Sequence, residues 1–351
     1  MLASMALKNF TSFKEATFEF APGLNVFVGE NGTGKTHALK LAYSAIYVLA
    51  RGAAHVAVSR PSRTHLQSSI AQKLVAVFRP DDLGRLARRD RRGRQRSTVA
   101  CRFDQPVHDF DFSFSTISKE EVLIDKTPSA WIDRLPVYLP TRELLTLYPG
   151  FVSLYETSYL PFDETWRDTS VLLGAPLARG PRERQIKALL EPLEKAMQGK
   201  VETDKAGRFY LNSNGVSMEI HLVAEGLRKL AMIARLIATG SLVDKGFLFW
   251  DEPESNLNPK TIKVIARTIL HLANSGIQVF IATHSLFLLR EISILLQSND
   301  FSGTATRFIG LHRNVSGVVV DQGRTADDIG HIDALEEELS QSDRYMDAEV
   351  G

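Results

Sequence analysis

An α/β fold with a mostly parallel sheet is what this sequence predicts, on three observations. "GLNVFVG" (23–29) is a short apolar run without alternation, the pattern of a strand buried on both faces. A Gly-rich turn and the helical stretch "KTHALKLAYSAIYVLARG" follow it at once, giving a strand–loop–helix unit. From about residue 224 strands and helices alternate in the same way.

The elements follow in order. "LASMALKNF" and "EATFEF" alternate and read as a small antiparallel pair. Residues 70–125 read as a side lobe. It carries the strands "RSTVACRFD" and "HDFDFSFST" after the Arg-rich loop "RLARRDRRGRQR". "LPVYLPTRELL" is a strand running into a Pro-bounded turn, and 150–200 is mostly helical. "GRFYLNSNGVSMEIHLV" reads as a hairpin around "NSNG", so that 150–222 forms an inserted helical lobe and hairpin. Then come the helix "EGLRKLAMIARLIATG", the strand "GFLFWDE", the helix "NPKTIKVIARTILHLANSG", the strand "IQVFIATH" and the helix "SLFLLREISILLQS" within 224–300. Two short strands and an acidic helix close the chain over 301–351. The whole chain, 1–351, reads as one domain.

Composition narrows the function. The 351 residues are 44% hydrophobic and 24% charged, enough to bury a core. Lys+Arg and Asp+Glu number 42 and 41, so only a local patch would attract an anionic polymer or membrane. A single cysteine, Cys101, excludes an intramolecular disulfide and a cysteine-built zinc site, as suits a reducing compartment. "MLASMALKNF" lacks the charge pattern of a secretory signal, and no apolar run is long enough to span a bilayer. A cytoplasmic protein without membrane contact is expected.

"GENGTGKT", Gly29–Thr36, fits G-x-x-x-x-G-K-[ST], the pattern of a phosphate-binding loop. The glycines let successive backbone N–H groups of Gly29, Glu30, Asn31, Gly32, Thr33 and Gly34 curl around a phosphate. Lys35 then reaches the β/γ-phosphates, the Thr36 hydroxyl ligates Mg²⁺, and the following helix points its N-terminus at the anion. ATP and Mg²⁺ are the expected cofactors. "GFLFWDEPE" ends a buried strand in carboxylates. Asp251 there is suited to hold the metal and Glu252 to polarise a water as general base. His284, at the tip of the next strand, is placed to sense a γ-phosphate.

In this order the motifs resemble those of ABC-type ATPases. Residues 247–252 look like Walker B, and "SNLNP" resembles the D-loop with Asn256. The opening "LKNFTSFKEATFEF" is similar to the soluble SMC/RecF/OLD-like group, and puts Ser12 among the ATP-binding residues. An ABC-ATPase-like mixed sheet is implied, with an antiparallel β side lobe and a helical lobe. So is a homodimer or higher homo-oligomer closing head to tail on ATP. By the same resemblance "VAEGL" falls on the signature that would reach the partner's nucleotide. Ala224, Glu225 and Gly226 stand there, and the usual serine is missing. Glu225 must point aside or pair with Arg228 or Lys229 to avoid the phosphates. Arg142 and Glu143 of "PTRELL" are lid candidates, or else a structural ion pair.

Arg88, Arg89, Arg91, Arg92, Arg94 and Arg96 could contact nucleic-acid phosphates, or could form a solvated loop. The acidic tail helix, 332–346, reads as an exposed helix by default, or could pair with such a loop or a partner protein. Small relatives often serve as the motor or sensor half of a two-gene system, phage defence included, which implies an effector protein partner. An ATP-gated DNA clamp like RecF and a slow-turnover scaffold restraining an effector stand as alternatives.

Overall fold

A computed structural model describes residues 1–54, 60–89, 93–178, 180, 183–243, 246–315, 317–330 and 333–350. The chain opens with β1 (Leu2–Phe10) and β2 (Phe13–Glu19), antiparallel as their alternation predicts. β3 (Leu24–Gly29) is buried along nearly its whole length. α1 (Lys35–Ala54) leaves the Gly-rich turn. α2 (Arg63–Phe78) packs on α1 and is capped by Ser62, whose side chain accepts from the His65 amide. β4 (Arg96–Phe103), β5 (Phe110–Ser115), β6 (Leu123–Lys126) and β7 (Pro136–Leu139) follow. Then come α3 (Gly150–Thr157), α4 (Glu164–Leu173) and α5 (Glu183–Met197).

β8 (Lys200–Thr203), β9 (Phe209–Ser213) and β10 (Val216–Glu219) form a three-stranded sheet. The β9–β10 turn places Asn214 (φ 52°) and Gly215 (φ 83°) in left-handed backbone, as a two-residue hairpin requires. The expected hairpin thus gains a third strand, β8. The rest is α6 (Glu225–Ala238), β11 (Phe247–Asp251), α7 (Pro259–Asn274), β12 (Gln278–Thr283) and α8 (Leu286–Leu296), then β13 (Thr306–Asn314), β14 (Gly317–Gly323) and α9 (Asp333–Val350).

Two larger sheets organise these elements. One is antiparallel, in the order β2-β1-β4-β5-β6. The strands of residues 70–125 are therefore not set apart. β4 pairs with the edge of β1 that β2 leaves open, which satisfies a row of backbone groups that burial would otherwise leave unpaired. The other sheet runs β14-β13-β3-β12-β11-β7, parallel except for β14.

The central sheet is apolar on both faces, as its non-alternating strands require. Phe27, Phe249, Phe280 and Ile309 face α1, α2 and the antiparallel sheet in one core. Val26, Leu248, Trp250, Ile281 and Phe308 face the helices α5 to α8 in the other. Each large side chain so buried contributes about 1.5–3 kcal/mol before entropy is counted. α1 is thus clamped between two sheets, and its N-terminus is held at the carboxyl edge of the central one.

Candidate nucleotide site

In a parallel sheet every strand ends on the same side, and ligands bind in the crevice beyond those ends. Register makes this concrete here. Thr283 pairs with Val28, Ala282 with Asp251, and Leu311 with Gly29. The loops after β3, β11, β12 and β13 therefore converge.

The loop after β3 is shaped by positive φ at Gly29 (154°), Gly32 (78°) and Gly34 (101°). A Cβ on Gly34 would fall 2.4 Å from Ser12 Oγ and 2.8 Å from the Phe13 ring. One on Gly29 would fall 2.4 Å from Leu311 O. Only glycine fits either place. Ser12 Oγ donates to Thr33 O at 3.3 Å, bracing the loop from the β1–β2 turn. Lys35 is buried, and its Nζ donates to Gly29 O (2.7 Å) and Glu30 O (3.0 Å). Burial lowers its pKa against the raising pull of Glu252 and Asp251.

Asp251 is buried at the tip of β11. Its carboxylate accepts from Thr36 Oγ1 at 2.9 and 3.1 Å and from the Tyr138 hydroxyl at 3.4 Å. Burial raises its pKa, with the Thr36 hydrogen bond opposing. A hydroxyl and a carboxylate beside a phosphate loop form the all-oxygen donor set that a hard divalent cation takes. The residues thus fit Mg²⁺.

Glu252 has left-handed backbone (φ 49°), which costs a non-glycine residue about 1–2 kcal/mol. Its amide donates to Ala282 O at 2.9 Å, so the ladder to β12 holds it there. Its Oε2 lies 2.5 Å from His284 Nδ1. Glu254 is buried behind it and accepts from Thr283 Oγ1 at 2.5 Å. Burial, then the Glu252 charge, push its pKa up to about 7. Lys229 answers these carboxylates from α6. It is 2% exposed and donates to Glu252 O (2.8 Å), Ser255 Oγ (2.6 Å) and Ser255 O (3.3 Å). Burial pushes its pKa down to about 8.

α6 starts at Glu225 with Ala224 as its N-cap, and no side chain caps it. Ala224 and Glu225 are exposed. The pairing expected for Glu225 takes another form: its Oε1 accepts from Asn256 Nδ2 at 2.9 Å, while Arg228 and Lys229 turn to other partners. Gly226 lies against Asn256, where a Cβ would fall 2.8 Å from Asn256 O.

Of the lid candidates, Glu143 is buried and accepts from Arg228 Nε (2.8 Å) and Thr146 Oγ1 (2.9 Å), so it braces α6. Arg142 is exposed. The arginines grouped by sequence part company. Arg88 donates to Ser12 O at 2.7 Å, Arg89 to Thr116 O, and Arg96 to Ser113 Oγ and Asp125 Oδ1. Arg94 is exposed, and Arg91 and Arg92 lie outside the described residues. In the acidic tail helix, Glu338 pairs with Arg290 of α8.

Sequence reasoning left out Glu254, Tyr138 and the anchoring role of Lys229, although each stands inside a stretch it singled out. Arg313, whose Nη2 donates to Gly32 O at 2.9 Å, carried no local signal.

A family model described as "AAA domain, putative AbiEii toxin, Type IV TA system" matches residues 24–290, and one described as "AAA domain" matches 4–41. The DNA replication and repair protein RecF of Streptococcus thermophilus is 37% identical over 71 residues, 20% of this chain and 16% of its own. RecF of a Geobacillus strain is 41% identical over 54 residues, 15% of this chain and 13% of its own. The chain thus matches a small fraction of these curated relatives' length. Among solved structures, an SMC head bound to the C-winged helix domain of ScpA is similar over 93% of this chain and 98% of its own, with TM-score 0.55 and 12% identity. The Pyrococcus furiosus SMC head with an extended coiled coil is similar over 98% and 99%, with TM-score 0.50 and 10% identity. At such identity the likeness is one of fold.

Proposed function

This chain belongs to the AAA-domain family whose model spans its residues 24–290, an ATPase of the SMC/RecF-like ABC type, and from that premise we propose that it binds ATP with Mg²⁺ and hydrolyses it. One observation carries the reading: Thr36, which closes the phosphate loop, is hydrogen-bonded to Asp251, 215 residues on. Gly29–Thr36 would cradle the phosphates, with Lys35 exchanging loop carbonyls for phosphate oxygens. Thr36 and Asp251 would hold the metal, which supplies charge neutralisation at the transferring phosphate. Glu252, fixed by its backbone and by His284, is the base for the attacking water, and His284 reads the terminal phosphate.

Phosphate release by wild type, Lys35→Ala and Glu252→Gln tests this. Lys35→Ala should lose nucleotide binding. Glu252→Gln should keep binding and lose turnover at least about 100-fold. Equal turnover in Glu252→Gln and wild type would sink the assignment.

Ala224, Glu225 and Gly226 at the exposed start of α6 support a role toward a second copy's nucleotide, so the working unit is a homodimer, with the antiparallel sheet and the helical stretch as its lobes. The family's description as a putative toxin of a toxin–antitoxin system, and the similar SMC head bound to ScpA, support a protein partner. If turnover is nearly absent, the scaffold reading replaces the motor. A second reading is nucleic-acid contact. Lys8, Lys14, Arg94 and Arg96 line a basic concavity of about 860 Å³ on the antiparallel sheet. ATP-dependent retention of DNA at low salt, lost with added salt and in Lys8→Ala/Lys14→Ala, is then expected. No retention at low salt removes this reading.

A further inference from the structure

The phosphate loop has two unlike flanks. β11 and β12 lie to one side of β3 and deliver Asp251, Glu252 and His284. β13 lies on the other side, with Leu311 opposite Gly29, so Arg313 runs alongside the loop just beyond the last pair. Arg313 is exposed, and its Nη2 donates to Gly32 O at 2.9 Å. A Cβ on Gly32 would fall 2.5 Å from that same nitrogen, so guanidinium and loop backbone are closely fitted. Ser12 braces Thr33 on the loop, and Arg88 holds the Ser12 carbonyl.

The carboxylate flank needs a metal before it can face a phosphate. The β13 flank presents a cation directly. Gly32 O takes one donor of a group that has five, in a fork matched to phosphate oxygens. If hydrolysis occurs at Glu252 and His284, the terminal phosphate lies toward β11 and β12. The opposite flank then faces the part of the nucleotide nearer the sugar. On the nucleotide-site reading above, we propose that Arg313 is a nucleotide-binding residue of the C-terminal hairpin, taking a phosphate oxygen on the sugar side of the chain. It would bind a phosphate that nucleoside diphosphates and triphosphates share.

Binding of fluorescent ATP and ADP analogues to wild type, Arg313→Ala, Arg313→Lys and Lys35→Ala tests the proposal, beside melting of each without nucleotide. Arg313→Ala should weaken both ligands by about tenfold and to the same extent, the loss of one charge-assisted hydrogen bond. Arg313→Lys should recover part of that loss. The nucleotide-free Tm should stay at the wild-type value. Unchanged affinities in Arg313→Ala, with binding lost in Lys35→Ala, overturn the proposal alone. A loss confined to ATP assigns Arg313 to the terminal phosphate and overturns it. So does a nucleotide-free Tm that falls in Arg313→Ala and Arg313→Lys alike, which would make the arginine a loop brace. Wild type that binds neither ligand overturns this proposal and the nucleotide-site reading together.

Discussion

Glu254 shows how the site is balanced at the scale of one residue. A carboxyl this deeply buried, facing the Glu252 carboxylate, holds its proton to about pH 7, against 4.5 for an ordinary glutamate. The unfolded chain loses that proton near 4.5, so between these values the folded state binds more protons. Stability therefore falls as pH rises through this window. Glu254→Gln keeps an acceptor for Thr283 and cannot ionise. Its Tm advantage over wild type should grow from pH 5 to pH 7.5. A difference that stays constant across that range would show that Glu254 is not the titrating group. Lys229 offsets part of the same cost from the other side, since its ammonium meets three oxygens of the loop after β11.

At the scale of the element, α6 is the least finished part of the site. Its N-cap is Ala224, whereas α2, α7 and α8 are capped by Ser62, Asn258 and Ser285 side chains. Ala224→Ser should supply the missing acceptor and stabilise the protein by about 0.5–2 kcal/mol, read as a rise in Tm. If Ala224 also faces a second copy's nucleotide, the same substitution should strengthen ATP-dependent association in gel filtration and raise turnover. A rise in Tm with association and turnover unchanged would make Ala224 a helix start and nothing more. The element is otherwise well anchored. Arg228 is held by Glu143, Lys229 by Ser255, and Glu225 by Asn256. These contacts tie the start of α6 to residues 252–256.

At the scale of the molecule, α1 is the shared piece. It packs between the antiparallel sheet and the central sheet, in a core that both layers share. It is also tied to α4 and α2. Lys40 pairs with Asp163, the Tyr43 hydroxyl donates to Asp168, and Lys73 pairs with Glu164 and Asp168. Two packed layers and a charged network thus join α1 to the antiparallel sheet and to α2 and α4. Among the described residues no helix is long and apolar enough to cross a membrane.

The sequence by itself determined the residues whose chemistry depends on near neighbours. Gly29–Thr36 must curl because of its own glycines, and Asp251 and Glu252 must end a buried strand because four apolar residues precede them. The parallel strands were legible for the same local reason. Tertiary structure alone decided which distant groups meet. Glu143 takes Arg228, the antiparallel sheet borrows β4 to β6, and Arg313 comes to Gly32 from 281 residues away. Those meetings follow from strand order and register, which are set by how two sheets bury their faces against α1. A periodicity within one segment carries no record of which strand lies beside it.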